Sequence, residues 1–213
     1  MPESARPSQA PFKFLGGNLA LDLVNTVDWT EHGLAQERLS DYSRFLAWAE
    51  GAGVIGKSEA AALRRRAALE PSEAVRALGF ARRVRAAIHA CAAALSREKD
   101  PGAALHLLNA LLPRTLSHLR LEASGAEGGP GVRLGWEGSE AALDSPLWPV
   151  LWSAVQLFTS LDAVRVRVCG GESCGWTYVD RSRNGLRRWC QMSTCGTTAK
   201  NRRRGRRARP DAA

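Results

Sequence analysis

The sequence VRVCGGESCGWTYVDRSRNGLRRWCQMSTCGTTAKNRRRGRR, residues 166–207, contains four of the five cysteines of a chain of 213 residues. The four cysteines form two close pairs: four residues separate the members of each pair, and fifteen residues separate the pairs. Structural zinc sites with four thiolate ligands share this paired layout, since each pair supplies two corners of a tetrahedron, although a spacer of two residues is more usual. We therefore predict a structural zinc ion held by Cys169, Cys174, Cys190 and Cys195.

The residues around these cysteines predict a small zinc finger. Residues 166–180 can form a strand, a glycine-rich knuckle and a second strand, and the Gly-Gly pair after Cys169 lets the backbone fold so that both sulfur atoms point inward. The second pair lies where a loop enters a basic segment, which we expect to be the start of a helix. Because such a short module has little apolar core, bound metal would supply much of its folding free energy.

Three other uses of the cysteines must be weighed against zinc. The N-terminus lacks the features of a signal peptide, and no apolar run approaches the roughly 18–20 residues of a membrane span, so we expect a cytoplasmic protein with reduced thiols. This expectation argues against disulfides. A thioredoxin-like redox centre would require C-x-x-C beside a βαβ unit. An iron–sulfur cluster remains an alternative to zinc.

The positive charge of the chain is concentrated near its C-terminus. Residues 1–159 carry 17 Lys and Arg against 17 Asp and Glu, whereas residues 160–213 carry 13 against 4 and therefore hold the whole net charge of +9. A basic block of this kind predicts a polyanionic partner, and arginine suits forked contacts to phosphates and guanine edges. The predicted nucleic-acid contacts are Arg187, Arg188, Lys200, Arg202, Arg203, Arg204, Arg206 and Arg207.

DNA is the predicted partner, and RNA is the alternative. Trp176, Tyr178 and Trp189 could stack on unpaired bases, although aromatic residues of a finger more often pack into its own core.

Residues 1–160 are expected to form a separate helical domain, with the finger in residues 161–213. Apolar residues at helical spacing predict helices over 16–27, 58–69, 72–98, 101–119, with a break or kink near Pro113, and 145–160. Another helix is predicted within 39–55, capped by Ser40 or Asp41 and closed by Gly51 or Gly53. Alternation around a Gly/Pro turn predicts a β-hairpin over 119–138. The fold class is thus mainly α. Asp22 and Asn25 interrupt the first helix on one side, which makes them candidate ligand-binding residues.

Two stretches resemble known families. CGGESCGWTYVDRSRNGLRRWCQMSTCG, residues 169–196, resembles the CGNR zinc finger, which is named for a Cys-Gly-Asn-Arg stretch at its last ligand. FLGGNLALDLVNTV, residues 14–27, resembles the ABATE domain, which accompanies that finger in proteins classed as bacterial stress-induced transcription regulators. The resemblance implies a zinc-bound, DNA-binding finger. Thr197-Thr198 replace the Asn-Arg of the motif, so Lys200, Arg202 or Arg203 must supply the contact of the missing arginine.

Two functions remain open at this stage. The leading hypothesis is a zinc-finger DNA-binding transcription regulator whose neutral helical domain senses a small-molecule effector or forms a homodimer. The alternative is a small-molecule-binding or enzymatic N-terminal domain with the finger as a structural appendage. Because the sequence contains no acid/base pair, nucleotide-binding loop or catalytic metal motif, we predict that the protein is not an enzyme.

Overall fold

The computed structural model describes residues 12–30, 33–126, 129–172 and 174–207. Within this part, seven helices and three antiparallel two-stranded sheets follow one another along the chain. In order they are α1 (Leu19–Val24), β1 (Val27–Thr30), β2 (Gly33–Glu37), α2 (Tyr42–Gly51), α3 (Lys57–Leu69), α4 (Pro71–Ser96), α5 (Gly102–Leu116), β3 (Leu119–Ala126), β4 (Gly129–Trp136), α6 (Trp148–Thr159), β5 (Val166–Val168), β6 (Thr177–Val179) and α7 (Thr197–Arg207). This architecture confirms the predicted mainly α fold.

Helix α4 forms the centre of the N-terminal part. Pro71 occupies its first turn, where a missing N–H costs nothing, and a buried stripe that includes Phe80, Val84 and Ile88 faces the other helices. Helix α1 lies against α4 and α6 and buries Leu21 and Leu23 completely. The single cysteine outside the finger, Cys91, is a fully buried member of this core.

The structure departs from the predicted helices at two places. The first helix ends at Val24 rather than Val27, and the chain continues into the β1–β2 hairpin, which the sequence pattern did not reveal. Just after α1, the Thr26 hydroxyl donates to the carbonyl of Leu23, in the last turn of the helix, at 2.7 Å. Helix α5 runs through Pro113 and ends at Leu116, so the proline lies in its last turn. The β3–β4 hairpin confirms the predicted one.

The finger and the N-terminal part share one hydrophobic core. Val166 of β5 and Val179 of β6 are buried in the same cluster as α1, α4 and α6. Strand β5 packs against α4, and the backbone N–H of Val168 donates to Ser96 Oγ at 3.0 Å. The proposed boundary near Leu161 falls in a single 3₁₀ segment, Leu161–Arg165. That residues 1–160 and 161–213 are separate domains stays a prediction. The described residues of the two parts pack against each other.

Candidate functional site

The four finger cysteines converge at one point. Their sulfur atoms all lie within 4.8 Å of one another. The Cys174 and Cys190 sulfur atoms are 3.6 Å apart, and those of Cys190 and Cys195 are 3.7 Å apart. A disulfide needs about 2.05 Å, whereas zinc–sulfur bonds of about 2.3 Å in a tetrahedron place neighbouring sulfurs about 3.8 Å apart. The cluster therefore consists of free thiols with the spacing of ligands to a single tetrahedral ion.

The backbone of the finger positions the thiols. Cys169 directly follows β5; its N–H donates to the carbonyl of Trp176 at 2.7 Å, and its sulfur accepts from the N–H of Cys190 at 3.3 Å. Glycine fits tightly at position 171, since a Cβ there would lie 3.2 Å from the Cys174 Cβ and 3.3 Å from the Cys195 sulfur. Hydrogen bonds from the Cys174 and then the Cys190 thiol lower the pKa of Cys169 well below its usual value. Thiolate is the form in which cysteine binds metal.

The aromatic residues of the finger form its small core. Trp176 and Tyr178 are buried with Cys169 and Cys190, and Leu15 from the N-terminal segment packs against them. Burial raises the pKa of the Tyr178 hydroxyl to about 12. These two aromatic rings are therefore not on the surface, where a base could stack. Trp189 is the half-buried member of the predicted set.

The N-terminal part caps the outer edge of strand β6. The Asn25 side chain donates from Nδ2 to the carbonyl of Thr177 and accepts the Thr177 N–H at Oδ1, both at 2.9 Å. The Val179 N–H donates to the carbonyl of Gly16 at 2.9 Å, and the Trp176 indole donates to Asp28 at 2.9 Å. Asn25, a candidate ligand-binding residue from sequence, thus joins the two parts of the chain.

Asp22, the other candidate ligand-binding residue, holds the turn that precedes α1. Its carboxylate accepts the N–H of Gly16 at 2.8 Å. Burial raises its pKa to about 6, and the backbone hydrogen bonds from Gly16 and Leu15 only partly oppose this. Gly17 has a φ of +69°, which favours glycine at this turn. A ligand role for Asp22 and Asn25 stays a prediction, and their observed contacts are internal.

Helix α7 begins at the metal cluster. Thr197 follows Cys195-Gly196 directly, and its hydroxyl donates to the carbonyl of Met192 at 3.0 Å, so Thr197-Thr198 form the first turn of the helix. The predicted contact residues whose side chains are exposed on α7 are Lys200, Arg202, Arg203 and Arg204. The backbones of Arg206 and Arg207 also belong to α7, but their side chains lie outside the described part. Arg202 forms an ion pair with Glu172 of the knuckle.

Arg187 and Arg188 have different environments. The Arg187 guanidinium donates to the carbonyls of Trp189, at 2.9 Å, and Cys190, and lies 4.3 Å from the centre of the Tyr178 ring. It is therefore engaged inside the finger, and we leave it out of the proposed interface. Arg188 is exposed, with its guanidinium 5.4 Å from the centre of the Trp189 ring.

These features define a class of protein: a helical domain that carries a four-cysteine finger with a basic helix immediately after the last thiol. The family model ABATE, described as "Putative stress-induced transcription regulator", matches residues 17–161, and the model of the CGNR zinc finger matches residues 165–208. The chain belongs to the ABATE family and carries a CGNR zinc finger, as the resemblance predicted. No curated protein matches it in sequence. Among the described residues, no helix is long and apolar enough to span a membrane.

Proposed function

We propose that this protein is a cytoplasmic transcription regulator that binds duplex DNA through its finger and performs no catalysis. The observation that carries the proposal is the location of charge: the whole net charge of +9 lies in residues 160–213, and no acid occurs from 181 to 207. Helix α7 places an exposed group of these cations directly beside the metal cluster. Membership of the ABATE family supports a regulatory role and, by its description, a link to stress.

The metal in this proposal is zinc, and its role is structural. Four thiolates are the ligand set of structural zinc sites, and zinc bound there would cross-link the knuckle, the following loop and the start of α7. Since Cys195 lies two residues before α7, the direction of the helix depends on the position of that ligand. The arginines of α7 would then meet phosphates from a helix of fixed direction rather than from a flexible tail.

Elemental analysis of the purified full chain tests the metal. We expect about one equivalent of zinc per chain, because the four sulfur atoms surround one point. Cys190→Ser should lower the zinc content and unfold the finger, whereas Cys91→Ala, outside the cluster, should leave the zinc content unchanged. Iron in place of zinc, or paired disulfides in a reducing buffer, would contradict this assignment.

A salt titration of duplex binding tests the interface. If α7 and its neighbours neutralise roughly six phosphates, the logarithm of affinity should fall with the logarithm of salt concentration with a slope of about −5 to −6. Alanine at Arg203 or Arg204 should make the slope shallower by about one unit each. Arg65→Ala, on an exposed position of α3, is the matched control and should leave the slope unchanged.

Three further binding measurements test the role of the metal and the identity of the partner. Chelation of the metal should weaken duplex binding, because α7 loses its fixed direction. Single-stranded DNA and RNA of the same sequence should bind less tightly than the duplex. Tighter binding to RNA would replace DNA with RNA in the proposal, and a flat salt dependence would remove nucleic acid from it altogether.

A further inference from the structure

The loop between β6 and Cys190 presents an exposed leucine among arginines. We call residues 181–188 the arginine loop. The Leu186 side chain is 76% exposed, and Met192 beside it is 65% exposed. Arg181, Arg183 and Arg188 are exposed on the same loop. A single exposed leucine is common on protein surfaces. What distinguishes Leu186 is its position among cations that attract a polyanion.

Hydrogen bonds to two buried residues, Asp180 and Tyr178, hold the arginine loop in place. The buried carboxylate of Asp180 accepts the N–H groups of Ser182 and Arg187, each at 2.9 Å, and so fixes both ends of the loop. Burial opposes ionisation of Asp180, but these hydrogen bonds outweigh it and lower its pKa. The Tyr178 hydroxyl donates to the carbonyl of Arg187 at 2.6 Å, and Gly185 makes the turn with a φ of +63°.

This rigidity bears on binding. A loop already fixed in one conformation loses little conformational entropy when a partner binds, so Leu186 can contribute most of its burial free energy to affinity. The contacts that fix the loop use Asp180, Tyr178 and Arg187, and none of them uses the Leu186 side chain. The loop therefore supports Leu186 without burying it.

Trp189 is a common neighbour of the arginine loop and of α7. Trp189 lines a cavity of about 370 Å³ with Leu186, Arg188 and Met192. The same tryptophan lines a second cavity, of about 380 Å³, with Arg202 and Arg203 of α7. Leu186 and the basic helix thus each border a cleft that Trp189 lines.

We infer that Leu186 is an apolar wedge that inserts between base pairs of duplex DNA while the arginines of the loop contact the flanking phosphates. The inference rests on the proposed DNA binding and specifies how the finger contacts DNA. Proteins that kink DNA from the minor groove combine the same two elements, an apolar side chain that partly unstacks a base step and arginines beside it. The partner is assigned as nucleic acid because the loop and α7 together contain no acidic residue.

The experiment compares Leu186→Ala with the unaltered full-length, zinc-loaded protein. The probe is a short duplex with a central TA step, which unstacks readily, labelled at both ends for energy transfer. We expect the protein to bend the duplex and Leu186→Ala to abolish the bend. The variant should bind roughly tenfold more weakly or worse, the effect of leaving a leucine unburied, with the salt slope unchanged. Leu186→Phe should restore both bend and affinity.

Two controls separate the wedge from the charges. Leu161→Ala removes an even more exposed leucine, 92% exposed, outside the loop and should change neither bend nor affinity. Arg183→Ala should make the salt slope shallower by about one unit while the bend remains. Equal zinc content and melting temperature in all variants establish that the finger is folded.

The outcomes distinguish this inference from the proposed function. If the unaltered protein binds the duplex but Leu186→Ala binds and bends it equally well, the wedge is refuted and DNA binding stands. If Leu186→Ala weakens binding to single strands as much as to the duplex, Leu186 stacks on open bases and the wedge is again refuted. If the unaltered protein does not bind any nucleic acid, the proposed function itself fails.

Discussion

Replacement of Asn25 by alanine should loosen the whole finger. Asn25 is 2% exposed and satisfies both the N–H and the carbonyl of Thr177, which is itself fully buried. In the alanine variant two buried backbone groups lose their partners, and each such loss costs about 1–3 kcal/mol. We expect the free energy of unfolding to fall by about 2–6 kcal/mol, a large part of the 5–15 kcal/mol that is typical of a domain.

Urea unfolding of the zinc-loaded full chain, followed by circular dichroism and by zinc release to an indicator, measures this loss. Both signals should move to lower urea, because β6 belongs to the shared core and to the finger at once. Asn25→Asp should cost at least as much, since its oxygen would face the Thr177 carbonyl. Asn109→Ala, at an exposed position of α5, is the control. A shift of less than about 0.5 kcal/mol for Asn25→Ala, the usual size for surface changes, would refute the argument.

Three further predictions concern Asp22, Glu172 and the domain boundary. The pKa of Asp22 rises from 3.8 to about 6 on folding, so its contribution to stability is complete below pH 4 and is lost as pH rises through 6. Urea unfolding from pH 4 to 7 should therefore show Asp22→Asn gaining up to about 3 kcal/mol relative to the unaltered protein, and a constant difference would contradict this. Glu172→Gln should raise duplex affinity at low salt roughly two- to threefold, because it frees Arg202 and removes a charge that repels phosphate, whereas Glu59→Gln on α3 should not. A fragment that ends at Ser160 should fold cooperatively but melt at a lower temperature than the full chain, because Val166 and Val179 leave the shared core; aggregation or a melt without a transition would show that it cannot fold alone.

The sequence predicted the elements whose pattern is local. The spacing of the four cysteines was enough to group them, and the apolar stripes of α2, α4 and α6 were enough to find those helices. The β3–β4 hairpin followed from its alternation around a turn. In each case the residues that determine the element lie in one short stretch of sequence, so the pattern can be recognised without knowledge of the tertiary fold.

The parts that the sequence did not predict depend on distant contacts. Asn25 looked like a polar residue on a helix, but its partner is a strand edge far along the chain. Helix α1 ends immediately before Asn25, and the β1–β2 hairpin follows. Arg187 looked like one cation among many, and only the fold shows that it lies over Tyr178. A signal did exist for Asn25: a buried amide needs two partners, and its own helix could not supply them.

The hydrogen bonds between Asn25 and Thr177 join residues 152 positions apart, which has a consequence during synthesis. A ribosome adds roughly 5–20 residues per second, so Asn25 is made roughly 8–30 s before Thr177. During that interval the side chain of Asn25 has no strand edge to bond. A chain whose translation stops before β6 cannot close this junction. A product that terminates between α1 and β6 would therefore leave the end of α1 open to chaperones and proteases.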